Sequence, residues 1–158
     1  MIQKYPQNYK YVANLFHVYL QMGLLESAEA LLPSLPAEIQ GEPSALLALA
    51  KEDYPTAVEK YSSLIQSDHE HTLSYTSNLA LAHLYTANGQ SAIAVIEPKL
   101  KEPKNQVGVL PHAIYNLCTM YEIRDDNARG RKEAIMENIV GRYSDVCGKA
   151  HFKLDSLR

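Results

Sequence analysis

The chain has 158 residues, a formal charge of −3 at neutral pH, 46% hydrophobic and 21% charged residues. A chain of this size and balance supports a core of its own, which speaks against disorder over its whole length. The mildly acidic balance speaks against a general nucleic-acid binder, and two cysteines, Cys118 and Cys147, are too few for a disulfide scaffold. The aromatic residues are unevenly chosen: eleven tyrosines, two phenylalanines and no tryptophan.

Along the chain, apolar residues recur at three- and four-residue spacing and period-two runs of β-branched residues are missing, so helices are predicted throughout. The opening from Met1 to Pro6 lacks the apolar core of a signal peptide and leads directly into a helix, as expected for a portion of a longer protein. Val12, Leu15, Phe16 and Tyr19 form the first stripe, and Gly23 fits a helix C-cap behind it. Pro33 and Pro36 end the next helix near Leu32. Pro43 and Pro55 suit the first turns of the two helices that follow. Asp68 to His71 is polar, and Leu81, Leu84 and Tyr85 open another stripe that ends at Asn88-Gly89. Pro98 and Pro103 bracket a further helix end, and Pro111 begins the stripe Ile114, Leu117, Met120 and Tyr121. A charged connector spans 124–131. Val146, Ala150 and Leu154 then predict a capping helix over 143–157. No apolar run approaches the length of a membrane span.

The stripes repeat. Leu15, Tyr19 and Gly23 share L-x-x-x-Y-x-x-x-G with Leu81, Tyr85 and Gly89. Asn14-Leu15 with Tyr19 and Asn116-Leu117 with Tyr121 share N-L-x-x-x-Y. A weaker copy places Ala48 at the tyrosine position, followed by Ala57 and Tyr61. The resulting positions 19, 48, 85 and 121 bracket the 34-residue period of the tetratricopeptide repeat, whose second helix carries a small alanine such as Ala28, Ala57, Ala92 or Ala134. The fold class expected is all-α: a tetratricopeptide-repeat α-solenoid of about four antiparallel helix pairs with a C-terminal capping helix. The repeats fall near 8–40, 41–70, 72–104 and 110–142 of a single domain over 1–158.

Catalytic signatures are missing: there is no phosphate-binding glycine loop, G-x-S-x-G, H-E-x-x-H or paired C-x-x-C, so neither catalysis nor a cofactor is expected. His69-Glu70-His71 beside Asp68 reads as a solvated loop rather than a metal site. Asp125 and Asp126 read as helix-capping residues, and Cys118 as a small core hydrophobe. The functional expectation rests on surfaces. The first helix of each repeat lines the concave face, which places Lys10, His17 and Gln21, then Leu79, His83 and Thr86, then His112, Tyr115, Thr119 and Glu122 there. That face either receives a partner or is covered by the capping segment or a neighbour. Residues 1–123 hold 7 basic and 12 acidic residues, whereas 124–158 hold 8 and 6. The basic end, with Arg124, Arg129, Arg131, Lys132 and Arg142, reads as a docking face or as a salt-bridged, solvated helix face.

The run from Ile114 to Ile123 resembles the F-N-L-x-T-M-Y-E-L segment near the C-terminus of the trafficking protein particle (TRAPP) complex subunit-twelve family of tetratricopeptide-repeat proteins. A charged turn follows, then Arg131-Lys132-Glu133-Ala134-Ile135, then a final segment with Cys147, and the likeness extends over 110–157. The resemblance implies a non-catalytic scaffold subunit of a vesicle-tethering, Rab-exchange complex. Its partners would be the other large subunits of that complex, in ER–Golgi traffic. Its place would be the cytoplasm, peripherally on ER–Golgi or Golgi membranes. The alternative is a peptide-binding repeat adaptor such as a chaperone cofactor, which needs a basic, Asn-bearing groove that these faces do not supply.

Overall fold

The computed structural model describes residues 8–101, 108–143 and 145–154. The predicted Pro103 break and the end of the predicted helix at 155–157 lie outside them. Among the described residues there are eight α-helices and no strand. The chain forms two compact units, Met1–Leu64 and Ile65–Arg158.

The first unit holds α1 (Asn8–Gln21), α2 (Leu25–Leu31), two 3₁₀ turns (Leu32–Ser34 and Ala37–Ile39), α3 (Gly41–Ala50) and most of α4 (Tyr54–Ser67). Its core gathers Phe16, Ala28 and Leu47, with Tyr19, Leu20, Leu25, Leu31 and Leu32 half-buried around them. Ala45, Ala57 and Tyr61 are fully buried as well. Leu15, predicted on the packing stripe, is 41% exposed, because Phe16 beside it takes the inward position.

The second unit holds α5 (Thr72–Tyr85), α6 (Gly89–Lys101), α7 (Leu110–Arg124), α8 (Ala128–Tyr143) and a 3₁₀ turn (Lys149–Phe152). Consecutive helices pack together, and α5 also touches α7 while α6 touches α8. The α5–α7 contact includes a direct hydrogen bond, Asn116 Nδ2 donating to Ser77 Oγ at 3.1 Å. The core runs through Ile96, Leu100, Leu110, Ile114, Leu117, Cys118, Met120, Tyr121, Ile139 and Phe152. Pro98 lies inside α6, which is described through Lys101, beyond that proline.

One turn is used three times. Gly23, Glu52 and Ala87 all adopt left-handed backbone, at φ 72°, 61° and 60°. Behind each, the next amide reaches back five residues: Leu24 to Tyr19, Asp53 to Ala48 and Asn88 to His83, all at 2.9 Å. The left-handed residue's own amide reaches back three, Gly23 to Leu20, Glu52 to Leu49 and Ala87 to Leu84, and the two bonds satisfy carbonyls that a helix terminus leaves open. Asp53 and Asn88 then accept an amide bond from Thr56 (3.3 Å) and Ser91 (3.2 Å) and so begin the following helix. Four residues later comes an alanine with no exposed surface: Ala28, Ala57 and Ala92. Aligned on these turns, Phe16, Ala45 and Ala80 fall at one position, and all three are fully buried.

That geometry corrects the predicted register. In the third copy the position of Tyr19 and Ala48 is held by His83, not Tyr85. Tyr85 is the last residue of α5 and is 64% exposed, so it does not fill the core. Asn88-Gly89 begins α6 rather than ending α5, and a Cβ on Gly89 would collide with the Arg124 side chain, 2.8 Å from its Cγ. The fourth copy keeps Tyr121 fully buried but lacks the left-handed turn: Asp125 is extended, at φ −128° and ψ 122°. The charged connector is shorter than predicted, since α7 runs to Arg124 and α8 begins at Ala128. In α8 the predicted small packing residue, Ala134, is exposed, and Lys132, Ile135 and Ile139 face inward. The predicted capping helix is instead a turn and one 3₁₀ turn. Cys147 and Phe152 are buried in it; of the predicted stripe, Val146 and Leu154 are half-buried against the core and Ala150 is exposed.

Tyr121 and Tyr85 separate the registers experimentally. Tyr121→Ala is expected to lower the unfolding free energy by about 3–5 kcal/mol, as removal of a fully buried aromatic does. Tyr85→Ala is expected to change it by less than about 0.5 kcal/mol. Urea unfolding followed by circular dichroism measures both.

Candidate functional site

The basic residues of the C-terminal third do not form one open face. Arg124 Nη2 donates to the Ala87 carbonyl at 3.0 Å and so holds the end of α5. Arg142 Nη1 donates to the Lys101 carbonyl at 3.3 Å. Arg129 pairs with Glu133 one turn along α8, at 2.9 Å and largely in solvent. Arg131 reaches Glu97 at 2.6 Å and Asp125 at 2.9 Å. Its guanidinium carbon also lies 4.4 Å from the centroid of the Tyr121 ring. This seals the top of a buried aromatic with a cation that is itself doubly paired. Lys132 is not on a surface at all: it has no exposed area, because α8 turns it toward α7 and the C-terminal 3₁₀ turn.

The charges around Arg131 act on each other. Burial alone would raise the Glu97 carboxyl, but the hydrogen bond from Lys101 and the charge of Arg131 outweigh it and hold the carboxyl low. Burial, reinforced by the Glu97 carboxylate, pushes the Tyr121 phenol far above its ordinary range. Glu97, Lys101, Tyr121 and Arg131 line a depression of about 270 Å³ among α6, α7 and α8. Its cations are already matched by carboxylates, so the depression offers no open charge.

Lys132 is the centre of a second cluster. Its ammonium bonds to Glu122 Oε1 and donates to the Lys153 carbonyl at 3.2 Å. The other carboxylate oxygen, Glu122 Oε2, receives the Lys153 ammonium at 2.5 Å. That ammonium also donates to Thr119 Oγ1 at 3.2 Å and lies 5.0 Å from the centroid of the Tyr115 ring. Burial would raise Glu122, but hydrogen bonds from Lys132 and Lys153 overcome it and hold the carboxyl below its ordinary value. Cys118, nearby in the core, has its thiol pushed up to about 11, chiefly by burial. The backbone of Lys153 is left-handed, at φ 51°, which aims the side chain back across α7.

Of the predicted concave set, the structure thus brings together Tyr115, Thr119 and Glu122, which share one face of α7. The chain's own C-terminal turn lies on that face. His112 is exposed beside it, where Pro111, His112, Tyr115, Asn116 and His151 line a depression of about 300 Å³. On α5, Leu79 is only 6% exposed and therefore a core residue and His83 is half-buried, while Thr86, just past its end, is exposed. Burial lowers the tendency of His83 to take up a proton. On α1, Lys10, His17 and Gln21 are exposed. The residue that sequence reasoning missed is Lys153, which lies in a short turn with no periodic signal.

The polar run before α5 is a capping knot. Asp68 accepts the amide of Glu70 at 2.9 Å, His71 Nδ1 at 2.9 Å and the Tyr75 hydroxyl at 3.1 Å. The His71 side chain is the main cause that holds Asp68 down at about 2. Among the described residues, no three His, Cys, Asp or Glu side chains are placed to hold a metal ion together. No described helix is long and apolar enough to cross a membrane.

Set against known proteins, the chain matches no family model, no curated protein and no solved structure.

Glu97 and Glu122 titrate below their unfolded values, so the stability they contribute is complete above about pH 4.5 and is lost as the pH falls through their lowered folded values. The urea midpoint is expected to hold steady from neutral pH to about pH 5 and to decline below that. Glu122→Gln is expected to flatten this acid limb. An equally steep limb in the variant would mean that Glu122 contributes nothing to it.

Proposed function

We propose that the chain is a non-catalytic protein-interaction scaffold of the tetratricopeptide-repeat type, serving as a subunit of a TRAPP-type vesicle-tethering complex. The observation that carries the repeat reading is the threefold recurrence of one helix ending, with left-handed Gly23, Glu52 and Ala87 and buried Ala28, Ala57 and Ala92 behind it. Repeats of this kind need small residues where two helices approach closely, and they use their remaining faces to hold partners.

The exposed faces support an interaction role. On α1 and the turn residue that follows it, Tyr11, Leu15, Val18 and Met22 follow one another at spacings of four, three and four residues and are 73%, 41%, 45% and 65% exposed. That is a helical stripe of large apolar side chains facing away from Phe16 and the core. Contiguous exposed apolar surface of this sort marks interaction sites in soluble proteins. The TRAPP assignment itself rests on the resemblance of 110–157, which spans α7, α8 and the C-terminal turn. Cys118, Tyr121 and Cys147 within it are all buried, so part of the shared pattern is packing.

The adaptor alternative needs a basic groove for a carboxylate. The α7 face presents the reverse, a carboxylate and an aromatic ring that hold a cation.

Affinity purification from cells with this chain as bait, followed by mass spectrometry, tests the assignment. Recovery of the other large subunits of the tethering complex is expected. Recovery of a chaperone with none of those subunits overturns it in favour of the adaptor.

A further inference from the structure

Glu122 serves two ammonium groups, one with each carboxylate oxygen, and the two are unequal. Lys132 has no exposed surface and cannot leave without unpacking α8. The Lys153 side chain is 19% exposed and belongs to a terminal turn. The turn is held by other means: Phe152 is fully buried, and the Lys153 carbonyl is gripped by Lys132. The Lys153 side chain can therefore swing out while its backbone stays.

What it would leave behind is a formed receptor for a primary ammonium. The Tyr115 ring offers its face, Thr119 a hydroxyl acceptor and Glu122 Oε2 a carboxylate oxygen, all within two turns of one helix. An ammonium is recognised by this combination of π-face, neutral acceptor and carboxylate. Beside it opens the 300 Å³ depression of Pro111, His112, Tyr115, Asn116 and His151, which has room for the backbone of a short peptide. We propose that Tyr115, Thr119 and Glu122 form a lysine-binding site that the chain's own Lys153 fills at rest, and that the lysine side chain of a partner segment takes over by displacing it. The proposal rests on α7 being an interaction face, and it names the group that this face reads. The internal lysine acts as a competitor, so the affinity for an external one is reduced to the fraction of time that Lys153 leaves the site vacant.

The probe is N-acetyl-lysine N-methylamide, with the norleucine analogue as control, titrated calorimetrically into three versions of the 158-residue chain. Lys153→Gly removes the ammonium and suits the left-handed backbone at this position. It is expected to bind the lysine probe at least tenfold tighter than the unaltered chain, and to ignore norleucine. Adding Tyr115→Ala, a substitution at a half-exposed residue that does not touch Lys132, is expected to return binding at least tenfold toward the unaltered value. Should Lys153→Gly fail to fold, Lys153→Gln carries the same expectation. A folded Lys153 variant that binds the lysine probe no better than the unaltered chain overturns the proposal, as does equal binding of norleucine or full retention of binding without Tyr115. None of these readouts depends on the tethering complex, so failure to co-purify with it leaves the site untouched.

Discussion

A lysine with no exposed surface sits among α7, α8 and the C-terminal turn, and the second unit is organised around its charge. Moving an ammonium out of water costs several kcal/mol, which only close, well-directed partners offset. Lys132 finds two, the Glu122 carboxylate and the Lys153 carbonyl. One comes from the preceding helix and the other from the terminal turn. The pair therefore specifies which turn of α7 faces α8 and where the terminal segment must lie.

The arrangement also explains why the last helix pair departs from the three before it. The earlier turns end each helix with a left-handed residue and a five-residue return bond, and each is followed by a buried alanine. At the α7–α8 junction Asp125 is extended and holds the Asn127 amide at 2.9 Å and Arg131 at 2.9 Å. The direction of α8 is set by side-chain charges instead of by the backbone turn. Arg131 covers Tyr121 from outside while Lys132 enters beside it, so adjacent residues on α8 engage two different carboxylates, Glu97 and Glu122.

Much of the helical order was legible in the residues. The apolar period located the helices, and the prolines at 43, 55 and 111 lie in first turns as predicted. Gly23 takes the left-handed cap expected of it. What misled was treating tyrosine as the marker of register. A tyrosine can terminate a helix as readily as fill a core, and Tyr85 does the former. The true markers are the small buried alanines that follow each turn, Ala28, Ala57 and Ala92. Glu52 and Ala87 carry no sign of the left-handed turn, since neither is glycine. The basic end at 124–158 was visible as composition alone. Its pairing was not, because Glu97–Arg131 and Lys132–Lys153 join residues distant along the chain. Burial of Lys132 is the extreme case: a lysine in a run of charges reads as solvated until the helix register around it is known.

A double-mutant cycle on Glu122 and Lys132, read by urea unfolding, addresses the ion pair of the buried lysine most directly. With Lys132 present, Glu122→Gln strands a buried charge and is expected to cost about 3–5 kcal/mol. In a Lys132→Met background the same substitution is expected to cost under about 1 kcal/mol, leaving a coupling of about 2 kcal/mol or more. Additivity of the two substitutions to within about 0.5 kcal/mol would contradict the organising role of the buried lysine.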